Sequence, residues 1–528
     1  MSGNRLVLAF SMKSLILHLT LLSFLFSSMP AQVTYLEPQV DSLLSKADEL
    51  VFESRKELAK ELYRSALKSS KDPIRVLAIE GKIALADESW RDARSRLESL
   101  LKRDPKNMFG HYGLGICFRE IGKQSIFLNR LRGVLLKTDW DESKEHFQFV
   151  LASDSSFNDV LYQYSLLLKC QGDYPDALEA ARAQLRLSPK MFHAQIGLYK
   201  LYKSFVFNGS PQVVFEWLRE QSTEYATYFI GEEMRRAGML DQAESLFLDM
   251  LKLRLDMPLQ PIYLSLSKIN YARDRTDLGE SYYWRAVNEI TTRIGLQIVL
   301  DGVHPLLTDD ELGEFASLRT LRDRGRFVRS IWISRNPTPG SQVNPRLAEH
   351  HKRLLHAEAR EHYDGDRTHA NNPDKMRQLQ FPKAYWLNDE FNDKGLIYIR
   401  HGPPDNIQKY LGEEILAPTE SWMYSSRPDA PEMIFHFTME GGLSNNWRLV
   451  RFPPYPKAWE DLASWDPVFY RLSRAEPSER EILSDRISSQ TQETVMAALS
   501  TDRHTWKEEQ RTFPIPFSVD AFRSEGGR

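Results

Sequence analysis

The chain has 528 residues, of which 42% are hydrophobic and 27% charged, and its formal net charge is -3. At about 100–200 residues per domain, this length predicts several structural units, and the composition excludes a chain that is disordered throughout. The near-neutral charge argues against nucleic-acid binding, because affinity for polyphosphate requires a basic surface.

Residues 1–31 have the layout of a secretory signal peptide. Two basic residues precede an apolar run from Leu15 to Phe26, and small and polar residues follow as far as Ala31. The alternative is an uncleaved membrane anchor. The run of about 12 residues argues against it, because a helix needs roughly 20 apolar residues to cross a bilayer. We expect cleavage after Ala31, export to the periplasm or the extracellular space, no lipid anchor and no later transmembrane span.

Residues 40–300 are predicted to form an α-helical solenoid. The clearest helical pair spans 158–189, where Gly172 ends the first helix, Tyr174 packs in the turn and Ala177 permits close helix contact. This pattern resembles the tetratricopeptide repeat. Pairs in the same frame begin near residues 74, 108, 224 and 260, and the pair at 108 contains an insertion at about 123–138. Poorer matches at 42–72 and 192–221 complete the stack.

The packing positions of this frame are mostly small residues, glycines and prolines, with a tyrosine in one turn. They are Gly81, Ala93, Pro105, Gly115, Gly172, Tyr174, Ala177, Pro189, Gly231, Gly238 and Ala243. Stacked pairs present an extended surface, so protein or peptide binding is the predicted role, with a spacer as the alternative. We recognise no concentrated basic or acidic stripe that names the ligand. Cys117 and Cys170 lie in predicted helices, which favours buried thiols over a disulfide.

The composition changes near residue 301, where proline, histidine and tryptophan become more frequent. Residues 301–326 are predicted to be a helical linker that begins at a capping box of Thr308 and Glu311. Residues 327–455 are predicted to form a small α+β domain with a short antiparallel or mixed sheet. Its first strand is predicted at Leu396–Ile399, and further strands at 420–424, 434–437 and 447–450.

Three ordered blocks of this region resemble the GWxTD-domain family. The residues that match its pattern are Trp332, Pro337, Pro339, Asn344, Asp393, Gly395, Arg400, Gly402, Pro404, Asp405, Trp422 and Tyr424. The naming motif, Gly-Trp-x-Thr-Asp, aligns with residues 389–393, where only Asp393 is kept. A polar insertion at 364–376 is predicted to be an exposed loop. The resemblance implies no reaction.

Two alternatives would make the second domain an enzyme. Arg400-His401-Gly402 resembles the phosphohistidine-forming motif of histidine phosphatases, in which the histidine is the nucleophile. The preferred interpretation is a polar turn network of Arg400, His401 and Asp405.

A second alternative is a zinc site on the helix before the insertion. His351, Glu358 and His362 fall on one helical face and could ligate zinc, although a solvated face is preferred. Residues 456–528 are predicted to be an irregular or helical tail with a helix near 478–499 and a final segment that begins like the strand of a further β-domain at Pro514. The sequence favours an exported scaffold without a cofactor over a hydrolase or metal-dependent enzyme.

Overall fold

The structure is a computed structural model. It describes residues 37–52, 55–123, 137–363, 390–411, 417–426, 432–440, 445–451, 453 and 456–500. The expected signal peptide, most of the insertion after residue 123, the polar loop at 364–376 and the segment from Pro514 lie outside the described residues. The chain divides into two compact units, 1–113 and 114–528.

The first unit consists of antiparallel helical pairs. Its helices are α1 (Pro38–Phe52), α2 (Lys56–Ser69), α3 (Pro73–Ala86), α4 (Trp90–Arg103) and the start of α5 (Met108–Lys123). A Cβ added at Gly81 of α3 would lie 2.7 Å from the side chain of Leu97 in α4, and Ala93 is fully buried. The predicted small residues therefore lie where paired helices approach each other.

The second unit continues the pairs. Its repeat helices are α6 (Asp139–Ser153), α7 (Val160–Gln171), α8 (Tyr174–Leu187), α9 (Phe192–Asn208), α10 (Pro211–Glu220), α11 (Glu224–Arg236), α12 (Leu240–Met250), α13 (Gln260–Ala272), α14 (Thr276–Asn288) and α15 (Arg293–Val303). Gly172 ends α7 with a φ of +87°, and Gly238 lies just before α12 with a φ of +79°. Glycine adopts this left-handed conformation without steric cost. Cys117 is buried in α5, and Cys170 is half-buried in α7.

Close helix contact recurs at the other predicted packing positions of the second unit. A Cβ at Gly115 or Gly231 would lie 2.7 or 2.6 Å from the ring of Phe147 or Phe247. Ala177 and Ala243 are fully buried, and Tyr174 stacks on Phe205 at 5.4 Å. Pro105 and Pro189 lie just after α4 and α8.

Helices also connect the repeats to the C-terminal domain. A 3-10 turn (His304–Leu306) is followed by α16 (Asp309–Ser317), α17 (Leu321–Ser334) and α18 (Pro345–Arg360). The predicted capping box begins α16, where the Thr308 hydroxyl accepts from the Glu311 amide at 3.2 Å and the Glu311 carboxylate accepts from the Thr308 amide at 2.9 Å.

The predicted strand at Leu396–Ile399 is wrong, because these residues lie in helix α19 (Asp393–His401). The side-chain oxygen of Asn392 accepts from the Gly395 amide at 2.9 Å and caps this helix. Leu396, Ile397 and Ile399 are all buried. A short apolar run that is buried on all sides has no periodicity to separate helix from strand.

A four-stranded antiparallel sheet with the order β1-β2-β3-β4 follows α19. Its strands are β1 (Asn406–Tyr410), β2 (Thr419–Tyr424), β3 (Met433–Met439) and β4 (Trp447–Val450). The last three agree with the predicted strands. Then come α20 (Pro456–Leu462), α21 (Pro467–Arg474) and α22 (Pro477–Ser500), which confirms the helix predicted near 478–499. Among the described residues, none of the helices could cross a bilayer.

One hydrophobic core joins the last repeats to the sheet. It contains Tyr263, Tyr283 and Val299 of α13–α15, Trp332 of α17, and Phe437 of β3. Buried apolar area is the main favourable term in folding, at about 25 cal/mol per Å². The shared core therefore holds α13–α15 in a fixed position against the C-terminal domain.

Candidate functional site

Four successive repeat pairs place a basic side chain near the end of their first helix. Lys169 lies on α7, Lys203 on α9, Arg235 on α11 and Lys268 on α13. They recur at about the 34-residue length of one repeat, so stacking brings them onto one face. We call these four residues the basic row. The row is not apparent in the sequence, because its members are far apart in the chain.

The C-terminal half of the basic row is neutralised by Glu358 of α18. Arg235 donates to the Glu358 carboxylate at 3.0 Å, and the Lys268 ammonium donates to its other oxygen. Arg235 also makes two hydrogen bonds of 3.0 Å to Glu232, which accepts from the Ser265 hydroxyl at 2.5 Å. A residue of the C-terminal domain is thus held by two repeat helices.

The cations of this network favour the ionised form of Glu358 and Glu232. Burial alone would raise the pKa of Glu358, but Lys268 and Arg235 hold it well below its usual range. Burial opposes the charge of Glu232 as well, and the Arg235 guanidinium lowers the pKa of Glu232. Buried charges of this kind are tolerated only when paired, so each partner depends on the others.

Glu390 makes a second ion pair between the C-terminal domain and the row. Its carboxylate lies 2.6 Å from the Lys203 ammonium. The Tyr363 amide donates to the Glu390 carbonyl at 3.0 Å, and the Asn392 amide donates to the Glu361 carbonyl at 2.9 Å, so Glu390 is fixed beside the end of α18. Glu390 stands where the GWxTD motif has tryptophan.

A cavity of about 280 Å³ lies beside this ion pair. Lys169, Lys200 and Lys203 line it, together with the acids Asp301 and Glu390. Burial raises the pKa of Asp301, while Lys200 and a hydrogen bond from Gln297 lower it. Aromatic and polar side chains complete the lining: Tyr199, Ser204, Phe207, Asn208, His304, His362 and Tyr363. The cavity can hold a charged group against an aromatic wall.

Most of the predicted motif residues have structural roles. Trp332 is fully buried and donates from its indole to the Tyr283 hydroxyl. Asn344 caps α18 by accepting from the Arg346 amide at 3.0 Å and donates to the Trp332 carbonyl at 2.8 Å. Pro337 and Pro339 lie in the segment between α17 and α18. This block therefore connects two helices.

Asp393, the residue kept from the naming motif, joins α19 to the sheet. Its carboxylate accepts from the Leu449 amide of β4 at 2.7 Å and lies 3.6 Å from Nε of Arg448. Gly395 is needed on the same helix, because a Cβ there would lie 2.8 Å from that of Glu361. Asn392, at the position of the motif threonine, caps the helix. These contacts hold α19 in position between α18 and β4.

The turn after α19 is fixed by Gly402 and the residues around it. Gly402 has φ +77°, and its carbonyl accepts from the Tyr424 hydroxyl at 2.8 Å. Pro404 follows in the turn towards β1. Trp422 packs on Phe437 at 5.1 Å and donates from its indole to Glu420 at 2.6 Å. These matched residues shape the turn and the sheet.

The phosphatase-like alternative is not supported by the geometry. Arg400 donates to the carbonyls of Pro305 and Leu307 at 3.0 and 3.1 Å. His401 is fully buried between the rings of Tyr424 and Phe435. A nucleophile must reach its substrate, which burial of this ring prevents.

The hydrogen bonds described for Arg400 and Asp405 connect these residues to other segments of the chain. The Asp405 carboxylate accepts from the Ser425 amide at 2.8 Å, whereas Arg400 is directed to the 3-10 turn and His401 to an aromatic layer. Arg400 and His401 point in different directions because they are consecutive residues of helix α19, and Asp405 lies beyond the end of that helix.

The alternative metal site is not formed either. The His351 ring donates from Nδ1 to the Leu347 carbonyl at 3.0 Å, Glu358 is held by two repeat cations, and the ring of His362 contacts Phe207 at 4.2 Å. Within the part of the chain that the structure describes, no group of three His, Cys, Asp or Glu residues could hold a metal ion. The preferred solvated face is wrong as well, since His351 and Glu358 are buried.

Acid is expected to weaken the contact between α18 and the repeats. Burial lowers the pKa of His351 from 6.5 to about 4, and the pKa of Glu358 also lies below its unfolded value. Groups with a depressed folded-state pKa stabilise the fold above their unfolded pKa, and this stabilisation is lost as the pH falls. Between about pH 6.5 and 4, His351 alone contributes a loss of about 3 kcal/mol.

Urea unfolding at pH 7 and pH 4 measures this loss. The His351→Phe variant keeps a ring that can stack on Tyr271, which lies 4.3 Å from His351, and it cannot take a proton. Its stability should therefore depend less on pH, by about the same 3 kcal/mol. If the free energy of unfolding fell equally in the variant and the parent protein between pH 7 and pH 4, His351 would not be the source of the pH dependence.

Comparisons with known proteins found one match in the helical repeats and one in the C-terminal domain. The family model described as GWxTD domain matches residues 386–465, and the model described as Tetratricopeptide repeat matches residues 80–124. The chain therefore carries a GWxTD domain and tetratricopeptide repeats. None of the curated proteins matches it.

Three solved structures are similar to parts of the chain. A thermophilic TPR protein of Thermus thermophilus is 15% identical over 40% of this chain and 90% of that chain, with a TM-score of 0.25. A tetratricopeptide repeat protein from Parabacteroides merdae is 14% identical over 50% and 98%, also at 0.25. PilW, a type IV pilus biogenesis factor, is 16% identical over 50% and 100%, again at 0.25. Scores this low imply nothing about function.

Proposed function

We propose that this chain, in which tetratricopeptide repeats precede a GWxTD domain, is an exported scaffold that binds a protein partner on the face that carries the basic row. Tetratricopeptide repeats support a protein-interaction role, since stacked pairs expose an extended surface. The observation that carries the proposal is the cavity of about 280 Å³ beside Lys203, where repeat and C-terminal residues meet. The C-terminal domain then forms part of the binding platform.

Export rests on the composition of residues 1–31 alone. Expression in the native host, followed by fractionation and N-terminal sequencing, tests it. We expect the mature chain outside the cytoplasm, beginning close to residue 32. A cytoplasmic protein that retains residues 1–31 would contradict export and leave the binding role intact.

Partner binding is tested by affinity capture with the full chain as bait. Ser204→Trp places an indole in the cavity and should abolish capture of a specific partner. Lys190→Trp, which adds the same bulk in an exposed loop outside the cavity lining, should leave capture unchanged. Thermal melting of both variants checks that they are folded. Identical partner sets for the two variants would exclude the cavity as the binding site.

A further inference from the structure

The basic row already receives carboxylates that come from outside the repeats. Glu358 is held by Arg235 and Lys268, and Glu390 by Lys203. Hydrogen bonds between charged groups are the strong ones in proteins, with short distances such as the 2.6 Å seen at Lys203. This face is therefore suited to binding carboxylates that approach it from another segment.

The cavity continues the same chemistry towards the N-terminal end of the row. Three lysines, Lys169, Lys200 and Lys203, line it against two acids, Asp301 and Glu390. Among the lining residues that the structure describes, three positive and two negative side chains leave an excess of one positive charge. Complementary charge favours a ligand that brings a carboxylate to this wall.

The size of the cavity limits what can enter it. Its volume of about 280 Å³ is slightly below the roughly 300–1,000 Å³ of typical small-molecule pockets. A site of this size suits a few side-chain groups of a peptide. Tyr199 and Phe207 supply aromatic surface beside the lysines.

We infer that the cavity binds an acidic peptide segment of the partner, in which a carboxylate bound by Lys169 and Lys200 lies next to an apolar side chain. This inference rests on the proposed function, since it names the chemistry of the partner on the same face. The carboxylate comes from acidic side chains within that segment, so binding does not require a free chain terminus.

Fluorescence anisotropy with labelled peptides tests the inference on the full chain. The probes are Gly-Phe-Glu-Glu-Phe-Gly amide, its Gln-Gln counterpart, and the Gln-Gln peptide with a free terminal carboxyl. The acidic amide should bind at least about tenfold more tightly than its Gln counterpart, the size of one hydrogen bond to a charged group. If the third probe bound as tightly as the acidic amide, the cavity would bind chain ends and the acidic-segment inference would be overturned.

Four variants show which charged side chains determine the affinity for the acidic probe. Lys169→Gln and Lys200→Gln should each weaken binding of the acidic probe about tenfold. Lys190→Gln removes the same charge from an exposed loop and should change nothing. Asp301→Asn removes a like charge from the cavity wall and should strengthen binding, a gain that loss of folding cannot produce.

The outcomes separate this inference from the proposed function. Equal affinities for all three probes, or an equal loss in Lys190→Gln, would overturn the acidic-ligand site. If none of the probes binds while Ser204→Trp still abolishes partner capture, the ligand chemistry is wrong and the binding role remains. If Ser204→Trp has no effect on capture, the binding role at this face fails as well.

Discussion

Replacing Glu358 with glutamine is expected to lower the free energy of unfolding by about 3–5 kcal/mol, because it leaves buried cations without their counter-charge. Glu358 is 6% exposed and accepts from both Arg235 and Lys268. Glutamine keeps the shape of the side chain but not the charge. Glu232 can still offset Arg235, so Lys268 carries most of the penalty.

An ion pair on the same helix provides the control. Lys352 lies 2.9 Å from Asp274, and its side chain is 53% exposed. Solvent-exposed ion pairs contribute about 0–1 kcal/mol to the stability of a fold. Lys352→Gln should therefore change the free energy of unfolding by less than about 1 kcal/mol. Urea unfolding followed by tryptophan fluorescence measures both variants. Similar small losses for the two would show that Glu358 does not hold α18 to the repeats.

Replacing Trp332 with alanine is expected to cost about 3–5 kcal/mol, the range for removing a large aromatic side chain from a core. Trp332 is 0% exposed, donates to the Tyr283 hydroxyl and packs against the ring of His350 at 5.0 Å. Alanine leaves a cavity where α17 meets the last repeat pair and the GWxTD domain. It also removes the donor from a buried hydroxyl.

The neighbouring residue separates this effect from the helix propensity of α17. Ile333 is 62% exposed, and Ile333→Ala should change the free energy of unfolding by about 0.5 kcal/mol or less. Both variants keep α17 rich in helix-forming residues. If Trp332→Ala were as mild as Ile333→Ala, the shared core would not depend on this residue.

The repeats were predictable because their signal is local and periodic. A glycine after α7, a tyrosine at the start of α8 and an alanine within the first turn of α8 satisfy one geometry, and Gly172, Tyr174 and Ala177 take the positions expected of them. Small residues are required wherever two helices approach closely, so the sequence reports the contact directly. The strands β2–β4 were predictable from their runs of aromatic and β-branched residues.

The helix at Asp393–His401 and the state of His401 were not predictable in the same way. A run of four apolar residues fits a buried strand and a buried helix equally well. What decides in favour of helix is the local Asn392 cap together with a tertiary hydrogen bond from the Leu449 amide of β4 to Asp393. His401 then enters an aromatic layer whose members come from later strands.

The basic row was missed because it depends on stacking. Its four cations are separated by about one repeat each, so they form no contiguous basic segment in the sequence. Aligning the repeats on their glycines and then comparing charges column by column is the signal that would have found it. Its acidic partners Glu358 and Glu390 come from the other half of the chain, and only folding brings them together.

The most direct test of the account is photo-crosslinking in the native host. A photoreactive amino acid replaces Asn208 at the rim of the cavity, and the control carries it at Leu187, which is 51% exposed on α8. We predict a specific partner adduct from position 208 and none from position 187. Adducts at both positions, or at position 187 only, would contradict binding at the face that carries the basic row.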